Sequence, residues 1–100
     1  MSSTAKRGRL AVASILVDVA DGRLSSAEAL FRIRQLAELP WTDQDLADAF
    51  EAMQHFDSDA DIRHREPEYE ASQIAALRAF ADVLRANAAR DAIERKDSPS

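Results

Sequence analysis

An all-α fold, a compact antiparallel bundle of about four helices, is predicted by three features of this chain. Its 100 residues include only two Gly and three Pro, too few for the repeated turns of a strand-rich fold. Ala, Leu, Arg, Glu and Asp are abundant, with little punctuation between them. Apolar residues also recur at three- and four-residue spacing along most of the length. The length fits one domain. Much of the 46% hydrophobic content is Ala, which predicts a thin core with few large side chains. Residues 1–5 and 96–100 are expected to lack order.

The first helix is expected from about Thr4 or Lys6 to Asp21. Leu10, Ala13, Leu16, Val17 and Ala20 make one continuous face, with Val12, Ile15 and Val19 on its flanks. Gly22 is a natural stop, because it accepts the left-handed backbone that ends a helix. Lys6, Arg7 and Arg9 before the apolar residues 10–17 resemble a short signal peptide. Asp18 stands where a cleavage region avoids charge, so a first core helix is the better reading.

The second helix opens on a capping box, Ser25 with Glu28, and Leu24 is placed to staple onto the first turn. Leu30, Ile33, Leu36 and Ala37 form its inner face, Phe31 lies to one side, and Pro40 ends the segment. The third helix repeats the logic: Thr42 caps, Asp45 closes the box, and Trp41 staples onto Leu46. Leu46, Ala49, Phe50 and Met53 point inward, with Phe56 near the end. Gln44, Asp48, Glu51 and His55 point outward. Residues 57–67 read as an irregular charged connector, with room for a single turn from Ser58. Its one sizeable apolar residue, Ile62, is expected to tuck against the core. The last helix starts near Pro67. Ile74, Leu77, Ala81, Leu84 and Ala88 keep its apolar line, and Phe80 and Val83 widen it. Short loops favour antiparallel neighbours.

Charge is distributed unevenly. Residues 38–70 hold eleven acids and two bases, Arg63 and Arg65, a net −9, while the whole chain carries −5 and the remainder therefore +4. A field of that kind bears on solubility or on a cationic partner rather than on fold. With no Cys, disulfides, thiolate catalysis and Cys-based zinc sites are excluded. The chain is compatible with a reducing compartment, and a cytoplasmic location is expected. No apolar run reaches bilayer-spanning length, and no membrane is expected as a partner.

Site motifs are few. Asp57, Asp59, Asp61 and Glu68 occupy positions one, three, five and twelve of a calcium-loop template. Ile62 replaces the Gly required at position six, and Arg63, His64, Arg65 and Pro67 are unwelcome among calcium ligands. His55 and His64, the only histidines, have no spacing that forces them to converge on a metal. No nucleophile motif, phosphate loop or diagnostic His–carboxylate spacing is present, so neither an enzyme nor a cofactor is expected. Basic residues are scattered over the two ends and the second helix. The acids between would repel phosphate, so nucleic acid is not an expected partner.

The positive reading is protein binding, with complementary fields that speed association. Trp41, Phe56 and Tyr69 lie near the acids and are residue types that anchor interfaces, although core packing or stapling also accounts for them.

Certain motifs resemble a known family. Gly22-Arg23-Leu24-Ser25-Ser26-Ala27-Glu28 opens the second helix, and Phe56-Asp57-Ser58-Asp59-Ala60-Asp61-Ile62-Arg63 follows the third. Leu77 and Leu84 then set the period of a last helix. Over residues 10–85 the pattern is similar to small acidic bacterial immunity proteins of the colicin D immunity type. That resemblance implies tight binding to a cationic nuclease toxin, the acids imitating substrate phosphates. The contacts it implies are Asp48, Glu51, Asp57, Asp59, Asp61, Glu66 and Glu68, to which the interface chemistry of Tyr69 is added. The expected function is thus an acidic domain that inhibits a basic protein partner. The alternatives are an adaptor that self-associates, as a homodimer, through Ile74, Leu77 and Leu84 of its last helix, and a nucleic-acid-associated domain using the basic ends.

Overall fold

A computed structural model describes the backbone of residues 2–36 and 44–97, and the side chains of residues 7–36 and 44–89. Among these residues there are five helices and no strand: α1 (Ser2–Ala20), α2 (Ser26–Gln35), α3 (Gln44–Ser58), α4 (Ala60–Arg65) and α5 (Pro67–Asp97). They pack as an all-α bundle measuring 55 × 24 × 22 Å. The long dimension is set by α5, whose 31 residues span about 45 Å at 1.5 Å per residue. The expected Thr42 cap and Trp41 staple, and the inward face at Ala37, lie outside the described residues.

Local chemistry explains where the helices begin and end. Gly22 has φ 77°, and a Cβ built there would meet nothing within 4 Å. The reason for Gly is therefore backbone conformation, not space. Around it, Arg23 N donates to Asp18 O at 2.8 Å and Gly22 N to Val19 O at 3.0 Å, the paired bonds of a Schellman end. Ser25 Oγ accepts from Glu28 N at 3.2 Å, so the predicted cap of α2 is formed.

The major interface joins α1 to α5. Asp21, just past α1, meets Arg78 at 2.6 Å. Asn87 donates to Asp45 in the first turn of α3, yet Ala88 beyond it is still buried. It is α1, running back along α5, that covers this far half. Ala13, Ala20, Ala81 and Ala88 line these two helices, and small side chains let the axes approach closely. The larger fully buried residues are few: Leu16, Ile33, Leu46, Met53, Leu77 and Leu84, with Val12. The predicted thin core is the observed one.

Four expectations need correction. First, α1 is rotated: Val12, Ile15 and Val19 are buried, whereas Leu10 is 39% exposed and Val17 half-buried. Apolar residues surround most of α1, so packing could keep Ala13, Leu16 and Ala20 of the expected face and turn the rest of the burial toward its Val12, Ile15 and Val19 flank. Second, the connector is ordered. A single residue, Asp59, separates α3 from α4, and Asp59 N still donates to His55 O at 2.9 Å. Third, Ile62 does not tuck in but stays 36% exposed. Fourth, Leu77 and Leu84 face the core at 1% and 0% exposure, so they are not available for self-association, and Val83 between them points to solvent.

Candidate functional site

The end of α3, the short α4 and the first turns of α5 form one corner of the molecule. Residues 57–70 contribute six acids and two arginines to it, a net −4. Helix logic accounts for part of this. Glu68 and Glu70 sit in the first turn of α5, where they complement the dipole. Pro67 needs no partner for a missing N–H at that position. Glu66 O accepts from Glu70 N at 3.1 Å and closes the first turn.

The candidate residues divide sharply into those the fold uses and those it leaves outside. Asp57 accepts from Ser26 Oγ at 2.6 Å, tying the end of α3 to the start of α2. Asp59 stands at the N-cap of α4 but makes no capping bond with its side chain. Its Oδ2 instead accepts from Tyr69 Oη at 2.7 Å and from Gln73 Nε2 at 3.0 Å. Gln73 Nε2 also lies 3.3 Å from Tyr69 Oη. Arg63 donates to Gln73 Oε1 at 3.1 Å and to the carbonyl of Phe56, and its guanidinium stacks 3.5 Å over the Phe56 ring. This set of bonds locks α4 against α3 and α5. The bond to Asp59 also raises the Tyr69 phenol above its ordinary pKa, because ionising Tyr69 would put two anions side by side.

Asp61, Glu66 and Glu68 are exposed, and no side-chain partner of theirs is found among the described residues. Glu66, Pro67, Glu68 and Tyr69, with Arg65, line an open cleft of about 730 Å³. The two α3 candidates lie apart from this corner. Asp48 accepts from Gln44 at 2.7 Å, and Glu51 is 3.5 Å from His55. Both bonds run along the outer face of α3 between residues four apart.

Sequence reasoning missed Ser26, Arg63 and Gln73 as members of this region. One signal was available: Gln73 follows Tyr69 by four residues, so the two share a helix face. The other partners are joined only by tertiary folding.

The calcium-loop reading fails on geometry. Helix α4 runs through the middle of the template, and Asp57 and Asp59 are turned to Ser26, Tyr69 and Gln73. Among the described residues no group of three or more His, Asp or Glu is placed to hold a metal ion. Nor is any helix among them long and apolar enough to cross a membrane. Compared with protein-family models, curated proteins and solved structures, the chain matches none.

Proposed function

We propose that this chain is an acidic protein-binding domain that inhibits a basic protein partner, in the manner of the immunity proteins its motifs resemble. Asp61, Glu66 and Glu68 make the first contact. The observation that carries the reading is the division of charge at the α4–α5 corner. Arg63 is withdrawn onto Phe56 and Gln73, and Arg65 donates to the backbone carbonyl of Asp61 at 3.4 Å, while those three carboxylates stay exposed without side-chain partners among the described residues. Such an arrangement keeps negative potential directed outward, where it steers an oppositely charged surface. The cleft beside it, lined by Glu66, Pro67, Glu68 and Tyr69 with Arg65, offers two carboxylates and two ring side chains to an incoming lysine or arginine. Asp57 and Asp59 serve a different purpose in this reading. They hold the corner in shape, and partner contact is left to their neighbours.

Stopped-flow association with a basic nuclease-toxin domain tests the reading. The rate is expected to fall as salt rises. Neutralising the corner with D61N/E66Q/E68Q should lower it by about tenfold to a hundredfold at low salt. A rate indifferent to both salt and the triple substitution would overturn the proposal.

A further inference from the structure

Among the described residues, α4 is the one helix that gives nothing to the core. Its inner side is fixed by polar bonds instead, through Asp59 at its cap and through Arg63. Ile62, Arg65 and Glu66 are exposed and share a face of this region at spacings of three and four. Leu10, Phe31, Ile62 and Val83 are the large apolar residues left exposed among the described residues, and Ile62 is the one inside the acidic corner. A single exposed apolar residue is ordinary on a protein surface. Ile62 differs by its setting, a cavity wall flanked by carboxylates.

That cavity measures about 360 Å³ and is lined by Ile62, Arg65 and Glu66. Arg65 and Glu66 also line the larger cleft of about 730 Å³, so the two spaces adjoin. Their electrostatics differ. In the smaller space the charges of Arg65 and Glu66 cancel, and Ile62 supplies the rest of the wall. In the larger one Glu68 adds an uncompensated negative charge beside Pro67 and Tyr69. A cation is therefore favoured in the larger space and an apolar side chain in the smaller. Ile62 and Glu66 stand one helical turn apart, about 5–6 Å between Cβ atoms. A partner matches this when its apolar residue and its cation stand at the same separation, as two residues three or four apart on a helix do.

We propose that Ile62 is the apolar anchor of this corner and that its occupant is an amphipathic basic helix of the partner. A leucine-like side chain packs on Ile62, and a lysine or arginine one turn along enters the cleft at Glu66 and Glu68. The inference deepens the reading of the corner as the contact for a basic protein and rests on it. The net −4 of residues 57–70 selects the sign of the occupant. Charges at the rim of an interface govern how fast two molecules meet, whereas an apolar contact that excludes water governs how long they stay together. Asp61, Glu66 and Glu68 thus act on association, and Ile62 acts on dissociation.

Surface plasmon resonance of the full chain over two immobilised helical peptides tests the proposal. Both peptides carry the same number of lysines. One has leucines four residues from the lysines, and in the other glutamine replaces those leucines. The leucine peptide should dissociate about tenfold more slowly, at an equal association rate. That advantage should vanish in I62S and persist in I62L. It should also persist in V83S, which removes an exposed apolar residue outside the corner. Far-UV circular dichroism of I62S should match that of the parent chain, because α4 gives nothing to the core. Equal dissociation of the two peptides, or an advantage that survives I62S, overturns the anchor. If salt and D61N/E66Q/E68Q still slow association of both peptides in that case, the acidic corner stands without it. Peptides that do not bind at all overturn both.

Discussion

The two ends of α5 are built on different physics. Its first two turns are held by directed bonds: Tyr69 and Gln73 to Asp59, and Arg63 to Gln73. Its later turns are held mainly by burial of Leu77, Ala81, Leu84 and Ala88, with Arg78 to Asp21 and Asn87 to Asp45 as polar ties at the surface. Burial is not directional, and it supplies most of the stability. Hydrogen bonds of partly exposed groups contribute modestly, because water replaces them when they break. Their value at this corner is orientation: they fix the angle of a six-residue helix that has no buried residue of its own. The lesson is that the region offered to a partner is positioned by polar bonds, and the region that keeps the chain folded is not.

Substitutions should separate the two ends by size of effect. Leu84→Ala removes a fully buried side chain and should cost about 3 kcal/mol in denaturant unfolding. A loss below about 1 kcal/mol would mean that burial does not dominate this half of α5. Asp59→Ala removes the shared acceptor of Tyr69 and Gln73 and should cost about 1–2 kcal/mol. Hydrogen exchange should rise in α4 well before it rises in α1. Equal rises in both helices would deny the corner its separate identity.

Tyr69→Phe is milder and carries a pH signature. Tyr69 is protonated when it donates to Asp59, and its folded pKa lies above the ordinary phenol value. The stability it adds is therefore fully present below that ordinary value and is lost as pH rises through the raised folded value. Tyr69 is the only tyrosine, so tyrosinate absorbance reports this group alone. Unfolding experiments into the alkaline range should show a decline that Tyr69→Phe lacks. The smallest effect should come from Val83→Ala, next to Leu84 but facing solvent. Its stability should change by no more than about 0.5 kcal/mol.

What the sequence revealed follows the range of each interaction. The cap of α2 and the stop at Gly22 were legible because their partners lie within five residues. The inner face of α3 was legible because Leu46, Ala49 and Met53 contrast with charged neighbours. In α1 almost every residue from 10 to 20 is apolar, so periodicity could not choose between Leu10 and Ile15. Helix α4 was hidden for the opposite reason: Asp61, Arg63, His64 and Arg65 leave only Ile62 as a sizeable apolar mark. At the candidate site the acids were visible but their division was not. Asp57 finds its partner 31 residues away, and nothing local in the sequence says that it differs from Asp61.

The principal interface of this fold joins its first helix to its last. On the ribosome, Val12, Leu16 and Val19 therefore emerge well before Leu77 and Leu84 exist to cover them. At about 5–20 residues per second the wait is several seconds. During that interval a nascent α1 is an apolar helix without a mate, a natural client for a chaperone. Translation speed through the intervening residues then becomes a variable in how much of the protein reaches its finished form.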